Sequence, residues 1–299
     1  MVGTLRLSPR QQSALLAARP GALYAIVTTG KTSRFMVVRE AGGVVTRSRV
    51  AFDLSNYLAN VSAGRDGVYA GTAVIRRFSD VPDELLRIDP RTLHLVARAS
   101  FPASVRTVEQ GGSMWAAIGD GRVARLDPRT LKILVSQKVV TAAEGTLSAP
   151  AVGAGSLWVL AGTTPKLELV RLDPATLAIR SRTQLAAQGL PAGSVHVVVA
   201  RGKSVYLVGS KVVGIRADGT VAWISKSAPG LEAGAVDGST LVGLAQGSPA
   251  LVRLDARGHV VRRTTLRDVS GQLAISGRDV WFVGNGGRGQ GIVHVRLNR

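Results

Sequence analysis

Cysteine is absent from the 299 residues, which excludes disulfides, thiolate zinc sites and a cysteine nucleophile. Aromatic residues are scarce at 4%, too few for the ring platforms on which single-stranded nucleic acid stacks. Histidine occurs four times, and 19 Asp plus Glu stand against 38 Lys plus Arg. No apolar run approaches the roughly 20 residues of a membrane span. The best stretch, 14–29, is broken by Arg19-Pro20-Gly21, a turn signal. The first residues, MVGTLRLSPR, lack the basic start and long apolar segment of a secretion signal. The expected location is cytoplasmic, or extracytoplasmic or at the cell surface if the chain is the trimmed part of a longer product.

What is abundant points to architecture. Glycine (35) and proline (12) punctuate a chain that is 45% hydrophobic, a globular composition rich in turn formers. The formal charge of +19 favours polyanions electrostatically. Basic residues come as pairs, Arg76-Arg77 and Arg262-Arg263, never as a run of five, and without interleaved rings. Nucleic acid is therefore not the expected partner.

The chain repeats itself. LLRIDPRTLHLV (85–96) returns as VARLDPRTLKIL (123–134), LVRLDPATLAIR (169–180) and LVRLDARGHVVR (251–262), with fainter copies at 212–223 and 36–47. Upstream of each lies a second signature, small or polar residues and then a ring or leucine in an apolar run: Tyr24, Tyr69, Trp115, Trp158, Tyr206, Leu241 and Trp281. The mean spacing is about 43 residues, the period of propeller blades. Within a unit, apolar segments of five to eight residues alternate with Gly, Pro, Asp and Thr, leaving no room for amphipathic helices. In the fourth unit this predicts strands near 148–153, 157–161, 167–172 and 177–185.

The expected fold is all-β: a seven-bladed β-propeller of four-stranded antiparallel blades, a single domain over 1–299. The blades run approximately over 11–51, 58–100, 104–140, 147–185, 195–225, 231–266 and 271–299. The last unit has only three strands. Residues 1–9, where TLRLS alternates as a strand does, are the expected donor of the fourth, pairing with 292–297 and closing the ring.

The repeated polar residues read as construction. Asp89, Asp127 and Asp173 open type I turns in which Pro90, Pro128 and Pro174 pre-set φ; Asp218 and Asp255 open variants. Val123, Leu126, Leu131 and Ile133 are expected to be strand residues facing neighbouring sheets, and Arg129 to lie on the face opposite the entrance. The rings are expected to fill the widening space between blades.

The RLDPxT turns with GSLWVLAG-type strands resemble YVTN-type seven-bladed propellers, and are similar to virginiamycin B lyase-like and NHL-type repeats. The resemblance covers essentially the whole chain and implies the fold. It also implies binding at one face of the central channel, through the loops from strand D to A and from B to C. The D-x-x-N-x-R-I pattern of NHL repeats is absent.

At the entrance of strand A the residues differ in every unit, as a binding surface should. The candidates there are Asn60, Arg106, His196, Glu232 and Gln272; the B-to-C loops add Lys31, Arg34, Arg76, Arg77, Asp80, Lys166 and Arg288. GNGGRGQG (284–291) opens no helix, so it is a hairpin and no dinucleotide fingerprint. The lyase relatives use histidine and glutamate with a divalent metal. Here only His196 falls near the channel, and no H-x-H, H-E-x-x-H or G-x-S-x-G motif occurs. No cofactor or metal is expected. The reading is a non-catalytic binding or sensor propeller, monomeric, presenting its entrance loops to a protein, peptide or polysaccharide. The alternatives are a lyase or hydrolase working through His196 and Glu232, and polyanion binding through the basic surface.

Overall fold

The computed structural model describes residues 3–6, 11–29, 34–48, 52–53, 57–73, 82–141, 146–163, 165–191, 193–248, 250–266, 269–276, 278–286 and 289–297. Apart from one 3-10 turn at Ala186–Gln188, the regular elements are strands. They form seven separate antiparallel sheets, six of them built in chain order.

Strands A, B, C and D of blade 1 are Gln11–Arg19, Ala22–Thr29, Arg34–Ala41 and Val44–Arg47, the last continued by Phe52–Asp53. Blade 2 holds Tyr57–Ala63, Val68–Ala73, Asp83–Ile88 and Leu95–Phe101. Blade 3 holds Val105–Gln110, Ser113–Ile118, Arg122–Leu126 and Ile133–Lys138. In blade 4 strand A is split into Thr146–Leu147 and Ala151–Gly153, followed by Ser156–Gly162, Glu168–Leu172 and Ile179–Gln184. Blade 5 is Val197–Arg201, Ser204–Val208, Val212–Ile215 and Val221–Ile224; blade 6 is Leu231–Asp237, Thr240–Ala245, Ala250–Leu254 and Val260–Thr265. Blade 7 takes Val269–Ser276, Asp279–Gly286 and Gly289–Arg296, and its outer strand is Gly3–Arg6 from the other end of the chain. Leu5 lies opposite Ile292 and Gly3 opposite His294, so the N-terminal segment supplies the missing fourth strand. The chain is a seven-bladed β-propeller.

The burial of each strand follows from its rank. Strand B is apolar throughout because both of its faces are covered; in blade 4 it is buried from Ser156 to Ala161. Strand D has one face toward solvent and alternates, as in Ile179–Gln184. Two compact units divide the chain, residues 1–114, 126–132 and 267–299, and residues 115–125 and 133–266. Within the first, successive strand B residues of blade 1 go to opposite neighbours: Tyr24 and Ile26 pack with Val68, Leu86 and Ile88 of blade 2, while Leu23, Ala25 and Val27 pack with Trp281, Val283 and Ile292 of blade 7. Within the second, Trp158 and Leu160 pack on Val205 and Leu207, and Tyr206 and Val208 on Leu241 and Val252.

Three expectations need correction. Leu241 does not hold the ring position of blade 6. Tyr69 pairs with Arg87 and Trp158 with Arg171, whereas Leu241 pairs with Leu254 and it is Val242 that faces Arg253. A one-residue shift moves a side chain to the other sheet face, so Leu241 packs back toward blade 5. Ile133 is no buried inter-sheet residue: it stands 43% exposed at the start of an outer strand. Leu131 and Leu177 precede strand D and sit in the turn, where they are buried at a positive φ of 62° and 61°.

Candidate functional site

The repeated aspartates come first, because they decide whether an acid is available for chemistry. Asp127 Oδ1 accepts the backbone N–H groups of Arg129 at 2.8 Å and Thr130 at 2.7 Å. Asp89 and Asp173 do the same two and three residues on. The chain then closes on itself, with Leu131 N–H donating to Asp127 O and Asp127 N–H to Lys132 O, both at 2.9 Å. These N–H bonds stabilise the carboxylate and hold Asp89, Asp127, Asp218 and Asp255 below the usual range, and Asp173 at about 2. An acid so placed is ionised and fully engaged, a turn element and no proton donor.

The rings are tied to the same turns. Tyr24 donates its hydroxyl to Pro90 O at 3.2 Å, Tyr69 to Pro128 O at 3.0 Å, and Trp115 its indole N–H to Pro174 O at 2.8 Å. These three strand B rings therefore latch onto the D-P turn of the following blade, joining the two repeated signatures, whereas the Trp158 indole N–H turns to Gly153 O of its own blade at 2.8 Å. Later blades vary it: Tyr206 reaches Ser239 O at 2.7 Å, Trp223 reaches Ala256 O at 2.9 Å, and Trp281 reaches Glu40 Oε2 at 3.2 Å.

A third repeated residue is the arginine two places before Asp89, Asp127, Asp173 and Asp255, whose role local sequence does not reveal. Across the sheet from its ring, Arg171 lies 5.8 Å over Trp158 while its Nε donates to Ser156 Oγ at 2.8 Å. Arg87 donates from Nη2 to Asp66 O at 2.8 Å. In blade 7 the position is His294, stacked at 4.7 Å on Trp281 and bonded to Asp279 at 2.9 Å. In blade 5 it is Gly214, which leaves room for Trp223; a Cβ there would meet that indole at 2.3 Å. The signal was the R-x-D spacing, legible only once register showed what faces it.

With the repeated groups assigned to the frame, the variable entrances of strand A remain. Asn60 turns out to be a fastener: its Oδ1 accepts Thr107 N–H at 2.8 Å and lies 3.3 Å from the Thr107 hydroxyl, joining strands A of blades 2 and 3. Arg106 is half-buried and already engaged. His196 is exposed just ahead of strand A of blade 5, its N–H donated to Val208 O at 3.0 Å. Glu232 is exposed in blade 6, and Lys166 is exposed in the B-to-C loop of blade 4. Gln272 is in strand A of blade 7, its side chain outside the described residues; Lys31, Arg76, Arg77, Asp80 and Arg288 lie outside them altogether.

Four of the entrances share a backbone irregularity. Pairing of strand A with strand B slips between Leu58 and Asn60, between Leu231 and Ala233, between Val269 and Leu273, and between Gln11 and Ala14. Glu232 is itself the extra residue of a bulge. Such insertions re-aim side chains at the ends of strands.

Of the described entrance residues, His196 and Glu232 belong to consecutive blades, 5 and 6, whose entrances are joined by backbone hydrogen bonds. Gly209 O accepts Leu231 N–H at 2.6 Å, next to Glu232, and Gly230 O accepts Gln246 N–H at 2.7 Å. Ser194 O accepts Lys211 N–H at 3.0 Å and the Ser210 hydroxyl at 3.3 Å. Gly209 allows this stacking, since a Cβ there would come within 2.4 Å of Ser194 O and 3.0 Å of His196 Nδ1. The result is a rim of exposed His196, Ser210, Lys211, Glu232 and Gln246 over buried Ser194, offering donors, acceptors and both signs of charge. The Ser194 hydroxyl is buried without a hydrogen-bond partner. No hydrogen bond or ion pair joins His196 to Glu232, and among the described residues no three His, Asp or Glu side chains gather as metal ligands.

No protein-family profile matches the chain, and no curated protein does. Solved structures do. BamB from Moraxella catarrhalis has a TM-score of 0.63 at 15% identity, covering 100% of this chain and 98% of that one. A chain of the Mitotic Checkpoint Complex gives 0.74 at 11% identity, over 100% and 95%. The WD40 β-propeller domain of Doa1 gives 0.69 at 9% identity, over 99% and 96%. Likeness at such identities establishes the propeller fold.

Proposed function

We propose that this chain is a non-catalytic scaffold that binds a protein partner through the loops entering strand A, with the rim of blades 5 and 6 as the contact. The observation that carries this reading is the division of labour among polar residues. Aspartates, rings and arginines that recur are consumed in turns and latches. The exposed polar side chains of the entrances differ from blade to blade, and at blades 5 and 6 tight glycine packing holds them together. A surface of mixed charge and mixed hydrogen-bonding capacity suits a folded protein better than a uniform polyanion. The Mitotic Checkpoint Complex, by its name an assembly, agrees with such a role. The RLDPxT turns favour the YVTN-type group as the lineage.

A photo-crosslinking residue placed at Lys211 or Glu232, compared with one at Arg91 or Arg257 in the C-to-D turns, tests this in the cell that makes the protein. Protein adducts should form from the entrance positions and not from the turns. Equal yields from the two sets, or adducts from the turns alone, overturn the assignment.

A further inference from the structure

The outer strands of a propeller each leave one edge of backbone N–H and C=O groups unpaired, and such edges are normally guarded by charge or by shortness. Most of those described here follow the rule. Strand D of blade 4 exposes Arg180 and Arg182, that of blade 6 Arg262 and Arg263, and that of blade 2 Arg98. Those of blades 1 and 5 have four residues each, Val44–Arg47 and Val221–Ile224, before any continuation.

Blade 3 is different. Its strand D, Ile133–Lys138, is six residues long and has no charged side chain before Lys138. Ile133 is 43% and Leu134 58% exposed, and Ser136 is exposed as well. The Lys138 ammonium is turned back to Asp120 O and does not lie across the edge. An outer edge that the described residues leave apolar and unguarded, on a protein with a net charge of +19, is a liability unless something covers it.

We infer that this edge is a docking site for an extended acidic segment of a partner protein, which adds a fifth strand to blade 3. Strand addition supplies main-chain hydrogen bonds, and side chains from the two faces of the incoming segment rest on Ile133 and Leu134, which point to opposite faces of the sheet. Charge selects the occupant. The strand runs in sequence between Lys132 and Lys138, and Arg182, while paired with Glu168, reaches the carbonyl of Val139 immediately after it. A second copy would bring another +19 to the same place, whereas acidic flanks are attracted. This surface is separate from the rim of blades 5 and 6, so either can fail alone.

The test uses the full chain and two labelled nine-residue peptides of alternating valine and threonine, one flanked by glutamates and one by lysines. The glutamate peptide should bind at least about tenfold more tightly and slow hydrogen exchange of amides 133–138. Leu134→Lys, a change at an exposed site that a retained melting temperature will show to be folded, should weaken binding by about tenfold or more. Val261→Lys, the same kind of change at a 56% exposed site on the outer strand of blade 6, should leave it unchanged. The inference is overturned by equal binding of the two peptides, by absence of protection at 133–138, or by a Leu134→Lys variant that binds as the parent does. Concentration-dependent self-association that Leu134→Lys abolishes also overturns it, by assigning the edge to a second copy.

Discussion

Leu177 should be more safely replaced by glycine than by alanine, the reverse of the order in a strand. Its side chain is fully buried, yet its backbone has φ 61°, in the left-handed region. Truncating a buried leucine to alanine costs about 2–5 kcal/mol and leaves the conformational strain in place. Glycine loses the same contacts but releases about 1–2 kcal/mol of left-handed strain. Against that stands its extra freedom in the unfolded chain, roughly 0.5–1 kcal/mol. The balance leaves Leu177→Gly ahead of Leu177→Ala by about 0.5–1 kcal/mol, though both are less stable than the parent. Blades 5 and 6 point the same way, since their turns place Gly219 and Gly258 at φ 98° and 82°. Leu160, buried on strand B of the same blade, is the control; there alanine should be the better of the two. Urea midpoints from tryptophan fluorescence, compared at equal slope, measure both pairs. A Leu177→Gly midpoint at or below that of Leu177→Ala, with the Leu160 pair behaving normally, would refute the account of this turn.

Acid should loosen the C-to-D turns in a defined window. The folded value of Asp173 is about 2, below its ordinary value near 4, so its contribution is complete above about 4 and lost as pH falls toward 2. Melting temperature should fall less steeply across that window in Asp173→Asn than in the parent, and parallel curves would contradict the turn assignment. Tyr24→Phe and Tyr69→Phe each remove one latch between blades and should cost about 1 kcal/mol in chemical denaturation; no loss in either would reduce the latches to bystanders. Gly209→Ala presses a methyl to 2.4 Å from Ser194 O, so it should cost about 1–3 kcal/mol and abolish crosslinking from Lys211. Full stability with full crosslinking would dissociate the rim from the packing beneath it.

The candidate site was legible only in outline. The variable residues at strand A could be named, because repetition elsewhere makes variation visible. Their roles could not: Asn60 reads as a ligand group until Thr107 of the next blade is seen bonded to it, and Glu232 reads as an ordinary strand residue until the bulge appears. Hydrogen bonds between residues some 45 positions apart leave no trace in local pattern. The arginines of R-x-D repeat as plainly as the aspartates, yet their partner rings lie on another strand, beyond the reach of spacing arguments.

The sequence by itself determined the number of blades, the closing N-terminal strand and the turn role of Asp89, Asp127 and Asp173. The first rests on a repeat of about 43 residues, and the other two on strand alternation and local turn chemistry. Tertiary structure alone decided which blade each ring latches onto, that Val242 and not Leu241 takes the ring row, and that Ile133 and Leu134 face outward. These depend on register and on what lies beyond a sheet. A one-residue slip reverses every side chain without altering composition, and an edge is exposed or covered according to neighbours that the strand does not encode.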